Sequence, residues 1–241
     1  MQNRLVLVVP CYNESIRLSA LYFSDLQQEL ACDLFFVNDG STDSTIEKIS
    51  TFQFPLDILD LKKNVGKAKA IALGMAEVKD RYKWIGTCDA DGAISIEDWK
   101  TALKIIMVEE DLIDCVSGAR VLFAGMPLTR TLSRKWIGRI IATYVSLILN
   151  LQIYDPQSPC KIYSNTFLSG LKFDNFKTQW FFDAEMLLQK KMLSVKIKEF
   201  PLSNWRDIEG SHLRFSSVFE VIRDCVKLLV ISIKSFSSRR V

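Results

Sequence analysis

The chain contains 241 residues, and its 49% hydrophobic and 24% charged residues give the composition of a globular protein with ample length for a buried core. The formal net charge of +3 is too small to indicate nucleic acid, so we expect no such partner. The six cysteines form no Cys-x-x-Cys pair and there is one histidine, which disfavours a zinc site or a disulfide framework. We expect the cysteines to be small buried residues in a reducing compartment.

Apolar runs in this sequence are short. The first, at residues 5–9, is stopped by Pro10, so we expect no secretory signal in this run. No uncharged apolar stretch reaches the roughly 18 residues that identify a membrane-spanning helix. We therefore expect no segment to span a membrane.

The first 92 residues alternate between predicted strands and helices. Apolar runs with β character predict strands at residues 5–9, 34–37, 55–61 and in the run that ends before Asp89. Apolar spacing and capping residues predict helices at about 15–30, at 44–52 and from about 64 onwards. This alternation is typical of a parallel, doubly wound α/β sheet, in which the polar cluster after each strand falls along one edge. That edge is the expected nucleotide site.

The remainder of the chain predicts a continuation of the same domain, without internal repeats or a flexible linker. Helices are predicted at residues 96–108, 134–151, 181–191 and 215–236. Strands are predicted at residues 115–120, 161–163 and 195–200. Loops are expected at residues 121–133, 155–159 and 201–213.

Two carboxylates separated by one residue follow the fourth predicted strand. Asp89 and Asp91 stand just before Gly92, and like charges this close raise each other's pKa unless a cation or strong donors lie between them. A divalent ion that bridges carboxylate and phosphate oxygens would meet this need, because Mg²⁺ usually takes one or two protein carboxylates. For this pattern alone, an ordinary Asp-Gly turn is the alternative.

Four motifs, taken in order, resemble the family 2 glycosyltransferases of the GT-A fold. They are Val-Pro-Cys-Tyr-Asn-Glu at 9–14, Asp-Gly-Ser-Thr-Asp at 39–43, Asn-Val-Gly-Lys at 64–67 and Asp-Ala-Asp at 89–91. The resemblance implies a metal-dependent inverting glycosyltransferase that moves a hexose from a UDP- or GDP-linked sugar. It also implies a single domain with a Rossmann-like, mostly parallel sheet flanked by helices.

The second half of the chain resembles the dolichyl-phosphate mannose and glucose synthases of this family. The segments concerned are 155–161, 180–185 and 204–211, so the likeness covers about residues 5–214. Gln157 is slightly more like the glucose synthases, which favours UDP-glucose. Ala93 replaces a polar residue that often follows the two aspartates, and Pro159 with Cys160 replaces Gly-Phe. Because proline fixes φ near −65° where glycine is free, we expect the acceptor loop to take another shape.

The resemblance implies a set of residues that bind the nucleotide sugar. Asp89 and Asp91 would hold Mg²⁺ or Mn²⁺ on the diphosphate. Asp39 would accept a hydrogen bond from the base, and Lys67 would meet a phosphate as a point charge. The residues expected to line the base and the ribose are Pro10, Tyr12 and Glu14.

The implied acceptor is polyprenyl or dolichyl phosphate, which is already ionised near pH 7 because its second pKa is roughly 6. Such an acceptor needs positioning cations and no strong base. The candidate cations, in falling order, are Arg134, Arg206, Lys161 and Arg120. A hydroxyl on a growing glycan is the alternative acceptor and would need a general base. The candidate bases are Asp155, Asp183 and Glu185.

Two apolar helical stretches near basic residues, 140–151 and 226–236, are candidates for contact with an anionic membrane surface, with packing on the core as the alternative. We therefore expect a cytoplasmic protein, peripheral at the cytoplasmic face of a membrane, with a possible membrane-anchoring partner subunit. Residues 1–214 would form the catalytic domain, with a nucleotide-sugar half to about 120 and an acceptor half beyond it. Residues 215–241 would form a C-terminal amphipathic helix.

A non-catalytic nucleotide-sugar-binding subunit of a membrane complex is a hypothesis from a different class of protein. A scaffold subunit of such a complex would need none of Asp39, Asp89 and Asp91. The presence of all three carboxylates therefore favours an enzyme.

Overall fold

A computed structural model describes residues 4–121, 132–150, 153–190, 195–203 and 215–237; the side chains of 132–137, 215–218 and 235–237 lie outside this description. Within these ranges the strands are β1 Leu5–Cys11, β2 Asp33–Asp39, β3 Asp57–Leu61, β4 Trp84–Thr87, β5 Cys115–Ala119, β6 Lys161–Ser164 and β7 Ile197–Pro201. The α-helices are α1 Ala20–Leu30, α2 Thr45–Ser50, α3 Lys67–Val78, α4 Ile96–Glu109, α5 Leu132–Leu149, α6 Asn165–Leu168, α7 Phe182–Gln189 and α8 Phe215–Ser237. A 3₁₀ helix spans Phe173–Asn175.

The strands form one sheet in the order β3-β2-β1-β4-β6-β5-β7. β6 runs antiparallel to both of its neighbours, and the other strand pairs are parallel. Helices pack on both faces of this sheet, which confirms the predicted α/β domain with a mostly parallel, helix-flanked sheet. Parallel strands that point the same way place the ends of β1, β2, β3 and β4 along one edge.

The central strand β1 shows why the sheet is covered on both sides. Its residues are at most 2% exposed where they are apolar, and they alternate between two hydrophobic clusters. Val6 and Val8 belong to the cluster that contains residues of α3, α5 and α7, whereas Leu5 and Leu7 belong to the cluster that contains residues of α1 and α4. An unbroken apolar run is therefore required here, since successive side chains of a strand point to opposite faces.

Several predicted boundaries were wrong by a few residues. The first helix begins at Ala20 and not near residue 15, because residues 14–18 form a turn in which the Glu14 carbonyl accepts from the amides of Arg17 and Leu18. Ser19 then caps the helix by accepting from the Tyr22 amide. The short helix α6 and the 3₁₀ helix were not predicted, since a single turn has too few residues to establish a period.

The cysteines pack as expected. All six are unbridged, five are buried and Cys225 is half-buried. Burial raises the pKa of the Cys32 thiol to about 12, and the same desolvation raises the pKa of the other five. They serve as small core residues and are poor nucleophiles near neutral pH.

No helix in the described ranges is long and apolar enough to cross a membrane. The 23-residue helix α8 packs Val221, Cys225 and Leu228 against the core. On another face it presents an exposed apolar stripe. The stripe consists of Phe219, Ile222, Val226, Leu229, Val230 and Ile233.

Candidate active site

A cavity of about 420 Å³ opens at the carboxyl edge of β1, β2 and β4. The sheet brings together here all seven residues that the sequence assigned to the nucleotide sugar. They are Pro10, Tyr12, Glu14, Asp39, Lys67, Asp89 and Asp91. Asn64 and Arg17 also line the cavity. Arg17 was not predicted, because it lies in the turn after Glu14 and not at the end of a strand.

Asp39 ends β2 and is 2% exposed. Its carboxylate accepts from the backbone amides of Val65 (2.7 Å) and Gly66 (2.9 Å). These hydrogen bonds fix residues 62–66, the loop between β3 and α3, which we call the donor loop. Burial raises the pKa of Asp39 above its usual value, and these two hydrogen bonds offset part of the rise. Gly66 has φ of +93°, a conformation that glycine adopts without steric cost. Asp39 therefore both lines the cavity and orders the loop beside it.

Asp89 and Asp91 lie in the turn that follows β4. The Gly92 amide donates to the Asp89 carbonyl (3.3 Å), and Asp91 accepts from the Ala93 amide (3.1 Å). Burial and the neighbouring charge of Asp89 raise the pKa of Asp91. Lys67, the first residue of α3, reaches across the cavity and places its Nζ 2.6 Å from Asp89 Oδ1. The turn thus presents two carboxylates, and the ammonium group of Lys67 is paired with the carboxylate of Asp89.

Three aspartates raise the pKa of Lys67. Desolvation lowers the pKa of Lys67, but Asp89, Asp91 and Asp183 together outweigh it and hold the pKa above its ordinary value. Asp183 comes from α7, in the second half of the chain. The charge of the candidate base Asp183 therefore acts on Lys67, although Asp183 is not among the described residues that line the cavity.

A divalent metal ion would fit between these aspartates. Among the described residues, no group of three or more His, Cys, Asp or Glu side chains is arranged to hold a metal. Two carboxylates suffice for Mg²⁺ when phosphate oxygens and water complete its coordination. Burial and the negative charge of Asp89 both raise the pKa of Asp91, and a bound cation would offset both effects.

Glu14 offers an unused acceptor to the cavity. Its amide donates to Thr45 Oγ1 (2.8 Å), and its Oε1 pairs with Arg17 at 2.5 Å. Its Oε2 is buried without a hydrogen-bond partner in the part of the chain that the structure describes. Burial raises the pKa of Glu14, and Arg17 offsets part of that rise. A hydroxyl or N–H group of a ligand would satisfy this oxygen.

The predicted acceptor loop is tied to β5 by a bidentate ion pair. Arg120 directs Nε to Asp155 Oδ2 (2.6 Å) and Nη2 to Asp155 Oδ1 (2.8 Å), and it also donates to the Gln157 carbonyl (2.9 Å). Asp155 is 7% exposed; burial alone would raise its pKa, but Arg120 outweighs burial and lowers it. Arg120 and Asp155 therefore neutralise each other beneath the loop.

A second network joins β6 to α7. Lys161, 4% exposed, pairs with Asp183 at 2.7 Å and donates to the Pro156 carbonyl at 2.6 Å. The Tyr163 hydroxyl donates to the other oxygen of Asp183 (2.6 Å). Glu185, 2% exposed, accepts from the amides of residues 177 and 178 and so holds that segment. These carboxylates are all engaged by protein donors.

The side chains of two predicted cations lie outside the described residues. The backbone of Arg134 lies in α5, but its side chain is outside the described set, and Arg206 belongs to the segment 204–214, which is also outside it. Where the sequence departs from Gly-Phe, Cys160 is fully buried and its carbonyl accepts from the Gly118 amide (2.8 Å). Cys160 therefore packs in the hydrophobic core next to β5.

Comparison with known proteins identifies relatives along most of the chain. Residues 6–171 match the family model described as Glycosyl transferase family 2. A dolichyl-phosphate beta-glucosyltransferase of Trichomonas vaginalis is 28% identical over an alignment that covers 94% of this chain and 73% of that protein. A dolichyl-phosphate beta-glucosyltransferase of Dictyostelium discoideum is 27% identical, with coverage of 93% and 73%.

Solved structures share the same fold. Glucosyl-3-phosphoglycerate synthase of Mycobacterium tuberculosis matches with a TM-score of 0.70 at 15% identity, over 95% of this chain and 80% of that one. Its complex with Mn²⁺, UDP and phosphoglyceric acid matches with a TM-score of 0.67 at 14% identity, over 95% and 78%. This likeness confirms the predicted GT-A fold. Since the family model covers more than half of the sequence, the chain belongs to glycosyl transferase family 2 and is a glycosyltransferase.

Proposed function

We propose that this enzyme transfers glucose from UDP-glucose to a polyprenyl phosphate such as dolichyl phosphate, with inversion at the anomeric carbon. The observation that carries the proposal is the cavity at the sheet edge, which is lined by all seven predicted donor-site residues. The named activity of the relatives supports glucose and dolichyl phosphate. The UDP complex of the structural neighbour supports a uridine nucleotide.

Different residues of the cavity would bind the base, the ribose and the phosphates of the nucleotide sugar. Tyr12, 46% exposed, would stack on the base, and the carboxylate of Asp39 would accept a hydrogen bond from it. The free Oε2 of Glu14 would accept from a ribose hydroxyl. When the donor binds, the ammonium group of Lys67 would leave Asp89 and pair with a phosphate oxygen, because this group already lies at the cavity.

Asp89 and Asp91 would hold Mg²⁺ or Mn²⁺. A divalent ion in this position supplies Lewis-acid stabilisation of the charge that develops on the leaving diphosphate. The crystallised neighbour contains Mn²⁺ together with UDP, which supports this use of the site. The protein's own contribution is to hold the two carboxylates in one tight turn after β4.

Replacing Asp39 with alanine should weaken donor binding by roughly tenfold or more, with a smaller effect on turnover. The contact to the base is made equally in the ground and transition states, so its loss acts on affinity. The change also frees the amides of Val65 and Gly66. Isothermal titration with UDP and steady-state kinetics measure the two effects, with Asp57→Ala as the control on the exposed strand β3. Lower turnover at unchanged affinity would remove Asp39 from the nucleotide site.

The state of the acceptor-side carboxylates supports a phosphate acceptor. A hydroxyl acceptor requires a base, yet Asp155 is neutralised by Arg120 and Asp183 is bound by Lys161 and Tyr163. An ionised phosphate requires only cations. Because Arg120 and Lys161 are already paired, we assign the positioning of the lipid phosphate to Arg134 and Arg206.

Replacing Arg134 or Arg206 with alanine should raise the acceptor KM or abolish transfer, while hydrolysis of the nucleotide sugar by water persists. Lysine at either position should restore only part of the activity, because the bidentate fork is lost. Asp183→Asn should be milder than either arginine change. The measurement compares these variants on polyprenyl phosphate and on a glycan acceptor. An Asp183→Asn variant that folds and binds donor yet transfers nothing would favour the hydroxyl acceptor instead.

Helix α8 supports contact with a membrane surface, where a polyprenyl acceptor resides. The exposed apolar stripe runs along one side of the helix, which also carries the exposed cations Arg223 and Lys234. On α5, Leu147 is 75% exposed and Ile140 is 67% exposed. We therefore propose a peripheral protein at the cytoplasmic face of a membrane, with donor half 1–120, acceptor half 121–214 and the C-terminal helix 215–241 as the contact.

A further inference from the structure

Helix α8 carries a carboxylate that the proposed chemistry does not use. Asp224 is fully buried, although it lies on the last helix, where the sequence suggests an ordinary surface charge. Its Oδ2 accepts from the backbone amides of Gln179 (2.7 Å) and Trp180 (3.2 Å). Its Oδ1 pairs with Lys227, one turn further along α8, at 3.0 Å. Burial alone would raise the pKa of Asp224, but these donors outweigh it and hold the pKa below its usual value.

The segment that Asp224 holds, residues 177–180, has contacts on both sides of the active site. Lys227 also donates to the Lys177 carbonyl (2.9 Å), so α8 binds this segment at both ends. The Gln179 side chain covers the α-carbon of Gly66, where an added Cβ would lie 3.4 Å from Gln179 Nε2. Gly66 is the residue whose amide donates to Asp39. The segment therefore backs the donor loop.

The same segment also contacts the acceptor loop. Gln157 Nε2 donates to the Trp180 carbonyl (2.9 Å), and the Gln157 carbonyl accepts from Arg120. Glu185 adds hydrogen bonds from the amides of residues 177 and 178. Residues 177–180 thus form a brace between the two loops, anchored by Glu185 from α7 and by Asp224 from α8.

We propose that Asp224 is a positioning residue, which holds the 177–180 brace against the donor loop and the acceptor loop and thereby sets the affinity for both substrates. It touches neither substrate. Its action passes through the amides of Gln179 and Trp180 to Gly66 on one side and to Gln157 on the other. The substrate identities rest on the function proposed above, whereas the mechanical connection rests on the contacts alone.

Replacing Asp224 with alanine should raise the donor KM and the acceptor KM about tenfold while kcat changes less than threefold. Asp224→Asn should be intermediate, because one amide oxygen can still accept from both backbone amides while its NH₂ group meets Lys227. Asp114→Asn is the matched control. Asp114 also accepts a backbone amide, that of Lys196 (2.8 Å), but it lies at the opposite edge of the sheet.

Hydrogen–deuterium exchange supplies a readout that does not depend on any enzymatic activity. The Asp224→Ala variant should exchange faster at residues 64–67 as well as at 177–180, whereas a purely local role would accelerate exchange only at 177–180 and α8. If that variant fails to fold, Gln179→Ala tests the same connection, since it removes the side chain over Gly66 and leaves the backbone bonds in place. It should accelerate exchange at 64–67 and raise the donor KM.

These outcomes separate the two proposals. Unchanged exchange at 64–67 and unchanged KM values in folded Asp224→Ala and Gln179→Ala variants would overturn the positioning role. If the wild-type enzyme transfers nothing to polyprenyl phosphate but exchange at 64–67 still responds to Asp224→Ala, the proposed acceptor fails and the positioning role stands.

Discussion

Replacing Asp89 or Asp91 with asparagine is expected to lower turnover by at least ~10²-fold, because a Lewis-acid metal supplies several kcal/mol of charge stabilisation. Each change removes one of the two carboxylates that the turn after β4 presents to the cavity. Removal of Asp89 also leaves Lys67 without its ion-pair partner. Turnover is measured at saturating donor with Mg²⁺ and with Mn²⁺, and again after EDTA treatment.

The matched control for these variants is Asp80→Asn, which alters an exposed aspartate that pairs with the adjacent Lys79. That variant should retain wild-type turnover and the same response to EDTA. Metal titration of the wild-type protein and of the two active-site variants gives a second readout, since each variant should bind Mn²⁺ more weakly. Full activity in EDTA, together with full activity of either variant, would end the metal-dependent account.

Replacing Arg120 with alanine should lower the free energy of unfolding by about 3 kcal/mol or more, because it leaves the charge of Asp155 buried without its partner. The equivalent change in an exposed pair, Arg81→Ala opposite Asp57, should cost about 1 kcal/mol or less. Urea denaturation of both variants measures the difference. Equal effects of the two changes would mean that the Arg120–Asp155 pair contributes no more than a surface ion pair.

The same pair should make the protein sensitive to acid. Arg120 lowers the pKa of Asp155 below its unfolded value of about 3.9, so the pair stabilises the fold above that pH. This stabilisation is lost as the pH falls through the folded-state pKa of Asp155, which lies below 3.9. Denaturation curves at stepwise pH should therefore show a shallower loss of stability below about pH 4 in Asp155→Asn than in the wild type. An identical slope in the two proteins would contradict this contribution.

Much of the fold follows from patterns that a sequence displays locally. The buried strand β1 is readable because both of its faces must be apolar, and the polar cluster after each strand marks the carboxyl edge. The reversed direction of β6 cannot be predicted in this way, since a strand of only four residues has the same appearance in either direction. The prediction that residues 15–19 are helical was wrong, because the turn at Glu14 and the cap at Ser19 precede the first helical residue, Ala20.

In the candidate site, the donor side could be predicted from the sequence and the acceptor-side pairings could not. The donor-side residues were predictable because each lies at the carboxyl end of a parallel strand or in the segment that follows one, which fixes their common edge. The pairings on the acceptor side were not, since Arg120 and Asp155 are 35 residues apart and Tyr163 and Asp183 are 20 apart. Only the packing of β5, β6 and α7 brings such partners into contact. For the same reason Asp224 could not be distinguished from a solvated helix charge before the 177–180 brace was seen.

The most direct test of the proposed activity is transfer of radiolabelled glucose from UDP-glucose to polyprenyl phosphate in detergent or vesicles, with Mg²⁺ or Mn²⁺ present. The account predicts label in the organic phase, in a product that the Asp89→Asn variant forms at least ~10²-fold more slowly. UDP-N-acetylglucosamine and GDP-mannose serve as competing donors in the same assay. Label that stays in the aqueous phase with polyprenyl phosphate, but enters a glycan acceptor, would contradict the lipid-phosphate account.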